Sequence, residues 1–184
     1  MTLALKDYQQ KALEALEHWF GALRGARDAA RVAQAFDQAV RAAMGEAAPI
    51  RPYRPMAGDS LNVPQACIRI PTGGGKTLLA AHAIERAARL YVGTPAPLAL
   101  WLVPSDAIRT QTLDALRTPG HPYREALLAY YPADRLTVLD IADCTQLRAQ
   151  DFGSRAIVAV GTIQTLRVGR TASREVYAYN ESFE

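Results

Sequence analysis

Three consecutive glycines, a lysine and a threonine occur together in residues 70–77, Ile-Pro-Thr-Gly-Gly-Gly-Lys-Thr, just before an Ala/Leu-rich stretch. Glycines let backbone N–H groups curl around phosphate oxygens, because no side chain obstructs the approach. Lys76 can reach the β- and γ-phosphates of a nucleoside triphosphate, and the Thr77 hydroxyl can ligate Mg²⁺. The residues predicted to bind the phosphates are Thr72, Gly73, Gly74, Gly75, Lys76 and Thr77.

The general form of such a loop is G-x-x-x-x-G-K-[ST], placed between a strand and a helix. Gly75-Lys76-Thr77 supply the second half of this form, but Ile70 stands where the form begins with glycine. Residues 66–70 predict the strand before the loop, and residues 77–91 predict the helix after it. The helix N-terminus adds partial positive charge to an anion site. The alternative is a glycine-rich turn that binds nothing.

Strands and helices alternate through the second half of the chain. Strands are predicted at 98–103, 136–140 and 156–161, and helices at 105–117 and 121–131. The unbroken apolar run 98–103 is typical of a parallel strand covered on both faces. Two helices precede the loop: one from about residue 5 to 23, and one capped by Asp28. This alternation predicts an α/β fold with a parallel sheet, in which 26–64 is a helical and proline-rich insertion.

Composition limits the function classes. The 184 residues, 49% hydrophobic and 21% charged, are typical of a soluble globular domain, and the net charge of +3 does not by itself indicate a polyanion partner. Cys67 and Cys144 have no zinc or disulfide spacing, so we expect a reducing, cytoplasmic location. Cys67 lies in an apolar run beside Ile68 and is expected to be buried. His82 is expected at a helix surface, and none of the three histidines has a partner at metal or triad spacing.

The stretch 71–77 resembles motif I of superfamily 2 helicases and translocases, which tolerates an apolar residue at the position of Ile70. Three further stretches are similar to other motifs of that superfamily, in the same order: LKDYQQKAL (5–13), LWLVPSDAIRTQ (100–111) and AVGTIQTL (159–166). The resemblance is nearest to the restriction subunit of type III systems and covers almost the whole chain. It implies a RecA-like P-loop NTPase lobe that spans residues 1–184 and binds ATP and Mg²⁺.

The resemblance also assigns roles to single residues near the first motif. It implies that Gln9 recognises adenine, and an amide can make the paired donor and acceptor contact that adenine presents. The alternative is that Gln9 is a solvated surface residue, in which case Gln10 is the next candidate.

The later motifs suggest nucleic-acid contacts. Pro104 and Ser105 follow one apolar strand, and Thr162 follows another, so each threonine or serine can begin a helix whose free N–H groups grip a backbone phosphate. In open parallel sheets ligands gather at the carboxyl ends of strands, which would place the loop, Ser105 and Thr162 on one rim. Gln164 and Arg167 are expected to add contacts. Arg167 and Arg170 would share one helix face, and a solvated face is an equal alternative.

Hydrolysis needs an acidic pair, which the family writes as Asp-Glu-x-His, and no Asp-Glu dipeptide occurs in the sequence. The nearest candidate for the metal is Asp140. We therefore expect a lobe that is incomplete at its C-terminus, and a chain that binds ATP without hydrolysing it alone. The strand 66–70 would then have an uncovered edge, favouring self-association or pairing with residues 174–180.

These observations favour the ATP-binding portion of a DNA helicase or translocase, from a restriction–modification or related system. The expected partners are nucleic acid, with DNA favoured over RNA, a second motor lobe, and a methyltransferase or specificity subunit. One alternative is a nucleotide-binding interaction module without hydrolysis. The other is a different P-loop enzyme, such as a small kinase that uses Asp140.

Overall fold

The described residues of the computed structural model are 4–24, 28–56 and 62–166. The chain divides into two compact units at the boundary between Gly93 and Thr94. We call the first the P-loop unit, because it contains the loop 70–77, and the second the sheet unit. None of the described helices is long and apolar enough to cross a membrane.

Three α-helices lie in the described part of the P-loop unit: α1 (Asp7–Leu23), α2 (Ala29–Met44) and α3 (Lys76–Arg86). The α3 helix continues as a π-helical segment, Ala87–Val92, so helical structure covers the whole of the predicted range 77–91. Asp28 caps α2 as predicted, since its carboxylate accepts a hydrogen bond of 2.8 Å from the Arg31 N–H.

Aromatic packing joins α1 to α2. The Trp19 ring is 1% exposed and lies against Phe20, Phe36 and Tyr53, with ring centroids 5.2–5.6 Å apart. Its Nε1–H donates to the Val32 carbonyl at 3.1 Å, so the indole is buried without an unmade hydrogen bond. The buried cluster around it consists of Ala12, Leu13, Leu16, Trp19, Leu23, Val32, Ala35, Ala39 and Leu79. This cluster packs α1 against α2 and, through Leu79, against α3.

The predicted strand at 66–70 is not formed. The segment has no regular secondary structure, no described residue pairs with it in a sheet, and Cys67 and Ile68 are exposed. The prediction of a buried Cys67 is therefore wrong as well. Apolar character alone does not make a strand, because the backbone N–H and C=O groups also need a ladder partner. The predicted pairing with 174–180 concerns residues outside the described ranges and stays a prediction.

The described part of the sheet unit contains three parallel strands: β1 (Leu98–Val103), β2 (Leu136–Asp140) and β3 (Ala156–Thr162). Their spatial order is β1-β3-β2, so β3 is central, and all seven of its residues are buried. The described α-helices of this unit are α4 (Asp106–Arg117), α5 (Pro122–Leu128) and α6 (Ile163–Leu166), and α4 packs on all three strands. Short 3-10 helices are formed by Ala133–Arg135, Ile141–Gln146 and Ala149–Asp151. The predicted α/β fold with a parallel sheet and flanking helices is confirmed.

Coverage of β1 differs from the prediction. Leu98, Leu100 and Leu102 alternate along the strand, share one face and are exposed. The opposite face is the better covered, and Val103 there is buried. The unbroken apolar run predicted cover on both faces, and the described residues cover only one of them.

Candidate functional site

The loop 70–77 forms a tight turn that leads directly into α3. The Gly74 N–H donates to the Pro71 carbonyl at 3.0 Å, which closes the turn. Gly75 stands at the N-cap of α3 with φ +79°, in the left-handed region that glycine adopts without strain. The Leu79 N–H then donates to the Gly75 carbonyl at 3.0 Å and begins the helix. The loop therefore presents its backbone at a helix N-terminus, which is the usual position of an anion site.

Two of the glycines leave no room for a side chain. A Cβ atom on Gly74 would lie 2.2 Å from Ile70 Cγ2 and 2.9 Å from the Pro71 carbonyl oxygen. A Cβ atom on Gly75 would lie 2.4 Å from Gln9 Nε2. The residues present thus fit a phosphate group, since such a loop exposes backbone N–H groups that larger residues would cover or displace.

Lys76 folds over the loop that it follows. Its Nζ donates to the Ile70 and Pro71 carbonyls, at 3.1 Å each, and the residue is exposed. An ammonium group has three N–H donors, so one remains for a phosphate oxygen while the other two hold the side chain in place. Thr77 directly follows Lys76 in the sequence and is half-buried in the first turn of α3.

The start of α1 contacts the loop directly. Gln9 is 4% exposed; its Nε2 donates to the Gly74 carbonyl at 2.8 Å, and its Oε1 accepts from the Lys6 N–H at 2.9 Å. The alternative of a solvated Gln9 is therefore wrong, while Gln10 is exposed. The Tyr8 hydroxyl donates to the same Gly74 carbonyl at 2.9 Å. Sequence reasoning missed Tyr8, and its adjacency to Gln9 was the available signal.

An apolar cavity of about 670 Å³ adjoins the loop within the P-loop unit. Its lining includes residues 66–74 and side chains of α1 and α2, among them Leu16, Trp19, Phe36 and Met44. The volume lies within the range of small-molecule sites, which is roughly 300–1,000 Å³. The polar side chains of the lining belong to Lys6, Tyr8, Arg69 and Thr72, whereas Gln9 is not part of it.

A charged cluster joins α1 and α3 farther from the loop. Arg86 Nε lies 3.1 Å from Glu17 Oε1 on α1, and Glu85 pairs with both Arg86 and Arg89. His82, one turn earlier on α3, is 6% exposed, so its predicted surface position is wrong. Burial, and then the neighbouring Arg86 charge, lowers the pKa of His82. This cluster supports the side-by-side packing of the two helices that carry Gln9 and Lys76.

In the sheet unit, two predicted nucleic-acid contacts lie at the carboxyl ends of adjacent strands. Val103 and Thr162 are register partners, so Ser105, just after β1, lies near Thr162, and Gln164 Nε2 donates to the Pro104 carbonyl at 3.4 Å. Ser105 caps α4 as predicted, accepting from the Ile108 N–H at 3.4 Å.

Thr162 differs from Ser105 in its surroundings. It is buried, and its hydroxyl lies 2.9 Å from the Thr165 hydroxyl. Arg167 and Arg170 lie outside the described residues. The structure thus brings Pro104, Ser105, Thr162 and Gln164 together, and the predicted common rim with the loop remains a prediction.

Asp140 has protein partners for both carboxylate oxygens. Its Oδ1 accepts from the Ala142 N–H at 3.1 Å, and its Oδ2 forms an ion pair with Arg109 of α4. This arrangement ties the end of β2 to α4 and does not favour Asp140 as a metal ligand. Among the described residues, no group of three or more His, Cys, Asp or Glu side chains could hold a metal ion.

Comparison with known proteins agrees with this geometry. No curated protein and no solved structure matches the chain significantly. The family model of the type III restriction enzyme Res subunit matches residues 2–182, which is nearly the whole chain. This family has the RecA-like P-loop fold and the helicase-like motor domain of superfamily 2. With its glycine-rich loop of the phosphate-binding type and its parallel sheet, the chain belongs to the type III restriction enzyme Res subunit family.

Proposed function

We propose that this chain is the ATP-binding portion of a DNA translocase or helicase from a restriction–modification or related system. The observation that supports this most is the loop itself. Gly74 and Gly75 have no space for a Cβ atom, and Lys76 lies across the loop at the start of α3. Family membership adds the motor context, because Res-type domains are helicase-like.

The phosphates are the part of the nucleotide that the loop would hold. Within residues 72–77, the Gly74 N–H closes the turn, and the other backbone N–H groups would donate to the phosphate oxygens. Lys76 would contribute a charge-assisted hydrogen bond. The Thr77 hydroxyl is the ligand that this chain would offer to Mg²⁺, and bound Mg²⁺ neutralises charge on the phosphates.

Adenine recognition is assigned to Gln9. A carboxamide carries two N–H donors and two acceptor lone pairs, and the contacts to Gly74 and Lys6 use one of each. The second N–H and the second lone pair would pair with the adenine edge, after a local shift that uncovers the amide. The preference for ATP over GTP should therefore weaken in Gln9→Ala, and an unchanged preference would assign Gln9 to loop support alone.

Nucleic acid would bind the sheet unit where β1 and β3 end. Pro104, Ser105, Thr162 and Gln164 lie together there, and Arg167 is the next basic residue along the chain. The free N–H groups at the start of α4 suit a backbone phosphate. We propose that the nucleic acid is DNA rather than RNA. The proposed partners are a second motor lobe and a methyltransferase or specificity subunit, and the proposed location is the cytoplasm.

The test is calorimetric titration of Mg·ATP and Mg·ADP into the wild-type protein, Lys76→Ala and Lys11→Ala. Lys11 is an exposed lysine on α1 and serves as the matched control for loss of one positive charge. A charge-assisted hydrogen bond contributes about 1.5–3 kcal/mol, so Lys76→Ala should weaken binding by about 10- to 100-fold. Equal affinities of the wild-type protein and Lys76→Ala would refute the assignment.

The kinase alternative depends on Asp140. Its carboxylate pairs with Arg109 and caps the turn after β2, so it is held by the fold rather than presented to a substrate. A phosphoacceptor assay that compares the wild-type protein with Asp140→Asn addresses this alternative directly. We expect no phosphoryl transfer from either protein.

A further inference from the structure

We infer that Tyr8 is a positioning residue for the phosphate site: its hydroxyl, together with the Gln9 amide, sets the orientation of the Gly74–Gly75 peptide. The inference rests on the proposed nucleotide binding, but it concerns a residue outside the predicted site. The Gly74 carbonyl oxygen accepts from Tyr8 at 2.9 Å and from Gln9 at 2.8 Å.

A carbonyl oxygen has two lone pairs, so these two donors account for both. The peptide bond is planar and trans, and its C=O and N–H groups point in opposite directions. Fixing the Gly74 carbonyl toward the start of α1 therefore directs the Gly75 N–H away from α1. That N–H belongs to the backbone immediately before Lys76, where a phosphate-binding loop needs its donors.

The loop needs such external support because of its composition. Residues 73–75 are all glycine, and glycine visits both signs of φ with little difference in energy. A peptide between two glycines can rotate at low cost unless its carbonyl is held. Only one of the two donors is deeply buried: Gln9 is 4% exposed, whereas Tyr8 is 42% exposed.

Tyr8→Phe removes one of the two hydrogen bonds and little else. The ring, which lines the apolar cavity, is retained. With one donor left, the peptide would spend part of its time in orientations that turn the Gly75 N–H away from a phosphate. The apparent affinity falls with the population of the competent state, so we expect a loss of about two- to tenfold.

The experiment measures two things in the wild-type protein, in Tyr8→Phe and in the control Tyr123→Phe, which removes a tyrosine hydroxyl from the sheet unit. The first is the affinity for Mg·ADP, for inorganic pyrophosphate, and for ATP relative to GTP. The second is hydrogen exchange and chemical shift of the Gly75 amide in ligand-free, ¹⁵N-glycine-labelled protein.

We expect Tyr8→Phe to weaken ADP and pyrophosphate by the same factor, to leave the ATP-to-GTP ratio unchanged, and to shift the Gly75 amide signal and speed its exchange. Wild-type affinity with an unchanged Gly75 amide would overturn the inference, even if the melting temperature falls. A change confined to the ATP-to-GTP ratio would also overturn it, because Tyr8 would then contact the base. If the wild-type protein binds neither ADP nor pyrophosphate, the proposed function fails, and the ligand-free Gly75 amide still decides the role of Tyr8.

Discussion

Gly73 and Gly75 have almost the same positive φ in two different surroundings, and this allows a matched substitution. Their φ values are +78° and +79°. A Cβ atom on Gly73 would meet no atom within 4 Å, whereas one on Gly75 would lie 2.4 Å from Gln9 Nε2. Gly73→Ala therefore tests the backbone conformation alone, and Gly75→Ala tests the conformation together with the Gln9 contact.

The two costs can be estimated separately. A left-handed conformation costs a non-glycine residue about 1–2 kcal/mol, and this applies equally to both positions. Gln9 Nε2 is the end of a flexible side chain, so the clash at Gly75 is relieved by moving it, which breaks its bond to the Gly74 carbonyl. That loss adds about 1 kcal/mol. We expect destabilisation of about 1–2 kcal/mol for Gly73→Ala and about 2–3 kcal/mol for Gly75→Ala.

Urea denaturation, monitored by tryptophan fluorescence, measures the loss in free energy of unfolding of each variant. The chain has two tryptophans, so in a Trp101→Phe background the signal comes from Trp19, in the buried cluster of the P-loop unit. A double-mutant cycle with Gln9→Ala then isolates the contact, with an expected coupling of about 1 kcal/mol. Equal costs at the two glycines, or a cost at Gly75 that Gln9→Ala does not reduce, would refute the reasoning.

Three further outcomes can be measured. Burial lowers the pKa of His82, so the folded protein favours the neutral imidazole. The contribution of His82 to the free energy of unfolding should be complete above about pH 6.5 and decline as the pH falls below that value. His82→Gln should remove this part of the pH dependence of unfolding. Burial raises the pKa of the Cys144 thiol, whereas Cys67 is exposed, so mass spectrometry should find iodoacetamide on Cys67 first. Asp140→Asn should reduce the free energy of unfolding by about 1–2 kcal/mol through loss of the Arg109 pair, without changing Mg·ATP affinity.

Features that depend on a few neighbouring residues could be predicted from the sequence. Asp28 and Ser105 cap the helices that they precede, because a cap requires only a short polar side chain and the next turn. The turn before Lys76 follows from its glycines. The three strands of the sheet follow from apolar runs between turn signals, and their parallel arrangement follows from the intervening helices.

Features that depend on distant partners could not be predicted in this way. Residues 66–70 have strand-like composition, but a strand exists only when another backbone pairs with it. The environments of Cys67 and His82 depend on which elements pack over them, and a single sequence does not show this. The hydrogen bond of Tyr8 joins it to Gly74, 66 positions away in the chain, and no local pattern predicts that contact.

The order of the strands has a consequence for how the chain folds during synthesis. Consecutive strands in the chain, β1 and β2, do not pair with each other, and both pair with β3, which is made last. In the described sheet, neither has a ladder partner until the residues of β3, Ala156–Thr162, have begun to leave the ribosome. The sheet should therefore form in a single late step rather than strand by strand, and chains that stop before residue 156 should contain none of it.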